Sequence, residues 1–240
     1  MEKIAVLGAN DEYVQQTEKY GKKDVLFALI LYAVMILEFV LLGKLFVEKR
    51  SSLTEGYIFC MTGIVALSII GCVFMICLIR KQKFDTLGFS KKQAIKSFRV
   101  GMLLSILVAM IGIIWMKVSD SSMRANIGDI IMRIIYFLVF IGFMEELAFR
   151  GYIGTRLYGY FKNKQLSIIL VGVMFSLLHI PFHLIMSQMT LLEYILANWP
   201  SLINIAILHI GFQYLYSKYN SIVAPTILHF IIDFIQWFII

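Results

Sequence analysis

Seven stretches of the chain, 25–47, 56–79, 98–116, 130–154, 166–185, 201–217 and 221–240, are largely apolar. Each approaches or exceeds the length of about 20 residues that a helix needs to cross a bilayer. Hydrophobic residues make up 60% of the 240 and charged residues only 15%, with a mean hydropathy of +0.83. A soluble domain carries about 45–50% apolar and about 25% charged residues. The fold class is therefore all-α, a polytopic membrane helix bundle with seven transmembrane helices. The stretch 187–199 is short, holds Glu193 and Asn198 and ends at Pro200. It reads as an interfacial or re-entrant helix, and an eighth transmembrane helix is the alternative.

Residues 1–24 form a polar N-terminal segment, 25–129 hold three spans with a basic loop, and 130–240 hold the remainder. No short apolar core with a small-residue cleavage site precedes the first span, so an uncleaved protein is expected. Basic residues concentrate between the apolar runs. One face receives sixteen: Lys3, Lys19, Lys22, Lys23, Arg80, Lys81, Lys83, Lys91, Lys92, Lys96, Arg99, Arg150, Arg156, Lys162, Lys164 and Lys218. The other receives five, Lys44, Lys49, Arg50, Lys117 and Arg124. The positive-inside rule puts the N-terminus in the cytoplasm and the C-terminus outside. The net charge of +7 thus serves membrane orientation, and no basic stripe with interleaved aromatics suggests nucleic acid as a partner. The loop 80–99 could carry a short amphipathic helix, KKQAIKSF, capped by Ser90. Cys60, Cys72 and Cys77 lie in one apolar run and read as buried small hydrophobes.

Against this background the embedded charges stand out. A charged side chain at the centre of a membrane helix costs about 3 kcal/mol even on the lenient insertion scale. Glu145 and Glu146 nevertheless end an apolar run interrupted only by Arg133, and Arg150 follows. Glu146 and Arg150, at i and i+4, share a helix face with the acid N-terminal. Glu145 is turned by about 100°, which leaves it free to accept a proton. His179 closes a second run, and His229 and Asp233 repeat the i, i+4 spacing in the last. Counted from the drawn span ends at 154 and 221, Glu145 and His229 lie about 12–14 Å from the inner face. His179 joins that layer only if its helix begins nearer 170. His183, after Pro181, reads as a frayed helix end; His209 reads as a supporting residue; Glu38 reads as snorkelling or paired with a neighbour.

The ordered set Glu145-Glu146-x-x-x-Arg150, Phe175-x-x-x-His179 and His229-x-x-x-Asp233, with Phe149-Arg150-Gly151-Tyr152, resembles the CPBP (Abi) intramembrane proteases. That family includes type II CAAX prenyl endopeptidases and bacteriocin-processing or immunity proteins. The resemblance covers 130–240, which it implies is a catalytic core. It implies that Glu145, assisted by His179, activates water for attack on a peptide carbonyl, and that His229 and Asp233 stabilise the oxyanion. Glu146 and Arg150 would hold the site's shape or grip the substrate's carboxylate end. Position 233 is Asp where prenyl endopeptidases usually have Asn, so an oxyanion role requires it protonated or acting through His229.

The expected function is an intramembrane endopeptidase acting near the cytoplasmic leaflet on a membrane-associated peptide or prenylated C-terminus, in the plasma membrane of a prokaryote. No cofactor is required in the preferred reading. The alternative is zinc held by three of Glu145, His179, His229 and Asp233. A non-catalytic peptide-binding or bacteriocin-immunity protein is the rival function. A proton-coupled transporter would predict an internal repeat, and none is evident.

Overall fold

The computed structural model describes residues 8–89, 91–124 and 126–239. Among them the chain forms eight helices and no strand beyond two isolated bridges: α1 (Asp11–Thr17), α2 (Lys22–Glu48), α3 (Glu55–Ile79), α4 (Lys91–Val118), α5 (Ile127–Tyr160), α6 (Lys164–Ser187), α7 (Leu191–Tyr219) and α8 (Val223–Phe238). The helices α2 to α7 are long and apolar enough to cross a membrane. Their outward sides carry exposed apolar residues such as Leu67, Ile111, Trp115 and Leu196, as a lipid-facing surface requires.

Two expectations about the spans change. The seventh run is helical only over Val223–Phe238, 16 residues, or about 24 Å at the helical rise. It starts below the bundle end because Asn220, Ser221 and Ile222 are themselves buried. The stretch 187–199 is no separate helix. Thr190 caps α7 reciprocally with Glu193, and the helix runs unbroken through Pro200 to Tyr219. A transmembrane helix tolerates the donor that proline lacks, since neighbouring groups satisfy the freed carbonyl. The same holds at Pro181, inside α6, so His183 is an interior helical residue and not a frayed end. The short amphipathic helix expected in 80–99 is the start of the continuous α4; its proposed cap, Ser90, lies outside the described residues. Glu38 is paired, accepting a 2.6 Å hydrogen bond from Ser68.

Small residues set the helix crossings. Gly172 on α6 lies where a Cβ would meet Ala206 O at 2.7 Å, and Gly101 on α4 where it would meet Ala224 Cα at 2.8 Å. Polar ties fix register: Tyr32 OH donates to Met174 O (2.8 Å) and Ser176 Oγ to Leu202 O (2.7 Å).

The bundle end nearest the N-terminus is sealed. Tyr13 of α1 is fully buried against Tyr158 and Tyr216, with ring centroids 4.8 and 5.7 Å away. Beside it the buried Arg156 donates to Gly151 O (2.8 Å) and to Gln82 Oε1 (2.6 Å). Asp24 in turn accepts from Gln82 Nε2 (2.7 Å) and Arg80 Nη2 (3.1 Å). Gly88, at φ +86°, accepts from Ile222 N and closes the seal. A Cβ there would stand 2.6 Å from the Tyr216 ring. A left-handed conformation also costs a non-glycine residue about 1–2 kcal/mol. Gly88→Ala is therefore expected to lower the thermal unfolding midpoint of the detergent-solubilised protein by several degrees; an unchanged midpoint would show that the seal contributes nothing.

Candidate active site

The candidate residues come from three helices. On α5 the backbone widens into π-type turns over Tyr136–Phe143 and Leu147–Gly154, on either side of Met144–Glu146. Such turns are rare and concentrate at functional sites. Glu146 and Arg150 face each other at 3.1 Å, Oε2 to Nε, both side chains fully enclosed. Glu146 Oε1 also accepts from His229 Nδ1 at 2.9 Å. The other ring nitrogen of His229 stands 3.6 Å from Glu145 Oε2 and 3.5 Å from Asp233 Oδ2. Arg150, Glu146 and His229 thus form a chain whose far end looks onto two further carboxylates.

Glu145, at the end of this chain, faces a cavity of about 510 Å3 that it lines together with His179, His183, His209, His229 and Asp233. Its carboxylate is buried, and Oε2 has no hydrogen-bond partner. On α6, His179 Nδ1 lies 3.0 Å from the carbonyl of Phe175. A carbonyl only accepts, so Nδ1 carries the proton and the neutral ring keeps a lone pair on Nε2.

The expected depth mismatch of His179 has a simple resolution. The helix α5 ends at Tyr160, not 154, and α6 begins at Lys164. Glu145 and His179 are then each fifteen residues from the same bundle end, about 22 Å along the axis. His229 reaches them from a shorter distance because α8 starts inside the bundle. The site lies deeper than the 12–14 Å read from the sequence.

Arg150 is boxed in. Its Nη2 donates to His209 Nδ1 and to the His209 carbonyl (3.1 Å). The guanidinium lies 5.0 and 5.4 Å from the Phe175 and Phe212 ring centroids. The His209 ring stacks on Phe175 at 3.4 Å and 13°. His209 is therefore a direct partner of the buried cation, more central than its sequence position suggests. The polar lining residues Thr62, Tyr136, Ser201, Asn204 and Gln236 had no signal in the sequence, being uncharged and scattered over four helices. Among the described residues no group of three His, Cys, Asp or Glu is disposed to hold a metal ion.

Residues 127–235 match the family model described as type II CAAX prenyl endopeptidase Rce1-like. No curated protein and no solved structure matches the chain. The matched segment runs from the start of α5 to the last turn of α8 and holds Glu145, Glu146, Arg150, His179, His209, His229 and Asp233, whereas the cavity residues Thr62 and Gln236 lie outside it. The six long apolar helices mark an integral membrane protein, and the family matched by residues 127–235 is one of peptide-bond hydrolases. Residues 127–235 belong to the CPBP family of Rce1-like CAAX prenyl endopeptidase domains.

Removing one partner of a buried ion pair leaves an uncompensated charge, typically at about 3–5 kcal/mol. Arg150→Met is expected to lose most folded protein in detergent, and Glu146→Leu/Arg150→Met to recover much of it. Thermal unfolding of the variants checks both, and equal stability of single and double variants would remove the pair from the account.

Proposed function

We propose that the chain is an intramembrane endopeptidase in which Glu145 activates the attacking water. The observation that carries this is a buried carboxylate, free of any hydrogen-bond partner at Oε2, in a cavity wall that also holds His179. Glu145 takes a proton from water, and the resulting hydroxide attacks the scissile carbonyl carbon. The lone pair on His179 Nε2 orients that water. The oxyanion accepts a hydrogen bond from His229 Nε2–H; a donor in a site poor in water is worth far more than one in bulk solvent. The tetrahedral intermediate collapses as the C–N bond breaks, and Glu145 returns its proton to the leaving amine.

Asp233, 3.5 Å from His229 Nε2, supports the imidazolium and does not itself face the oxyanion as an anion. Glu146 and Arg150 hold His229 in place. Arg150 is fully buried and absent from the cavity wall, and among the described residues no Lys or Arg lines the cavity. That favours an internal peptide bond of a membrane-associated chain over grip on a terminal carboxylate. Prenylated C-termini remain the other member of the substrate class. The charge asymmetry of its loops supports a cytoplasmic N-terminus. The family match lends no support to a bacteriocin-immunity role.

The test is cleavage of membrane-anchored peptides in proteoliposomes. Glu145→Gln is expected to reduce cleavage by about 10²–10⁴-fold, the usual worth of a positioned base, with a strong chelator leaving the wild type unaffected. Loss of activity with chelator and its return with zinc would replace this reading with a metal-dependent one. Peptide binding without cleavage by the wild type would favour a sequestering protein. Asp233→Asn is expected to retain cleavage and Asp233→Leu to lose it, since either polar side chain can hold His229; equal loss in both would give the carboxylate itself a step in the reaction.

A further inference from the structure

The cavity does not sit at the middle of the bundle. On α2 its wall is Phe39, Leu42 and Phe46, from the C-terminal half; on α3 it is Thr62 and Val65, from the N-terminal half. On α5 it is Tyr136 to Glu145, on α6 His179 to His183, and on α8 His229 to Gln236. Each of these groups lies in, or at the edge of, the half of its helix that ends at Glu48, Glu55, Ile127, Ser187 or Phe238. Those ends are one end of the bundle: Arg133 pairs with Glu55, Phe46 packs on Phe182 (6.0 Å), and Arg124 donates to Trp237 O (2.8 Å). The exposed polar residues of the wall, Ser201, Asn204 and Gln236, lie in that half as well.

The opposite end is shut by the Tyr13–Tyr158–Tyr216 cluster, the Arg156–Gln82–Asp24 network and the buried turn 220–222. It is also the basic end. Among the described residues twelve Lys and Arg stand at that end once the buried Arg150, Arg156 and Lys164 are set aside, against six at the cavity end, Arg133 included. The positive-inside bias assigns the sealed end to the cytoplasm.

We propose that the chamber opens on the extracytoplasmic side of the membrane and that its substrate is a peptide segment presented from that side, in the outer leaflet or after export. The identity of the reactants rests on the peptidase reading above; the direction of opening rests only on the placement of the cavity and the charges. The site then works on the far side of the bilayer from the expected cytoplasmic leaflet, out of reach of a lipidated chain that remains in the cytoplasm.

The test replaces Cys60, Cys72 and Cys77 with Ala and adds single cysteines, Ser201→Cys, Asn204→Cys and Gln236→Cys in the chamber and Lys162→Cys at the basic end. Intact expressing cells are treated with a membrane-impermeant maleimide before and after permeabilisation. At least one chamber cysteine is expected to react in intact cells as fully as after permeabilisation, and Lys162→Cys only after it. Chamber cysteines that react only after permeabilisation, or a Lys162→Cys that reacts in intact cells, would overturn the proposal. Silence of all three chamber positions even in detergent would overturn it as well, by closing the chamber to water. Sealed right-side-out and inside-out vesicles given an impermeant peptide then separate the two claims. Outside labelling without cleavage in either vesicle type sinks the peptidase reading and leaves the opening as proposed. Cleavage confined to inside-out vesicles overturns the opening and leaves the peptidase.

Discussion

A carboxylate with no access to solvent, Glu146, holds the site together. One oxygen faces Arg150 and the other accepts from His229. Either cation alone, buried among Phe175, Phe212 and the lipid-facing helices, would carry a desolvation cost that the phenyl rings offset only in part. The carboxylate makes both tolerable at once, and in doing so it joins α5 to α8. The histidine ring is then fixed in orientation, with Nδ1 committed to Glu146 and Nε2 presented to Glu145 and Asp233. Arg150 extends the same chain to α7 through His209. Four side chains thus define the relative positions of three helices at the depth where the chemistry would occur.

This core needs irregular backbone and close helix contacts around it. The π-type turns bracket the two glutamates on α5 and aim them along different directions, one into the ion pair and one into the cavity. Prolines inside α6 and α7 leave the helices continuous. The buried turn 220–222, tied to Gly88, lets α8 begin inside the bundle and bring His229 level with residues that lie much further along α5 and α6. The same turn seals the basic end. The seal and the depth of His229 are therefore one structural arrangement.

The class of fold was legible because hydropathy over about 20 residues is a strong signal, and because an ionisable group within such a run has few bland explanations. The pairing of Glu146 with Arg150 and of His229 with Asp233 follows from helical spacing alone, and both pairs meet in space. Helix ends were less legible. A proline does not stop a membrane helix as it stops a soluble one, so the fate of 187–199 and the position of His183 turned on packing that no local window reports. The six residues by which α5 outruns its drawn end moved Glu145 into register with His179. His209 carried a weak signal as a mid-span histidine. The cavity's neutral polar lining carried none, because its members meet only when the helices do.

Charge accounting within the chamber bears on what it can admit. Arg150 is matched by Glu146, which leaves a single imidazole between Glu145 and Asp233 at nearly equal distances. One imidazolium can neutralise one of two carboxylates, so the wall that a substrate meets carries no surplus positive charge. A substrate carboxylate placed beside it would add a third anion in a low-dielectric setting, where repulsion is weakly screened. A neutral backbone segment adds none, and its carbonyl can share His229 Nε2 with the two carboxylates that stand 3.6 and 3.5 Å from it. The apolar side chains of Phe39, Leu42, Phe46 and Phe182 then take up the flanking residues. In the proposed reaction, the arrangement that leaves Glu145 as the base also favours an internal peptide bond over a chain terminus.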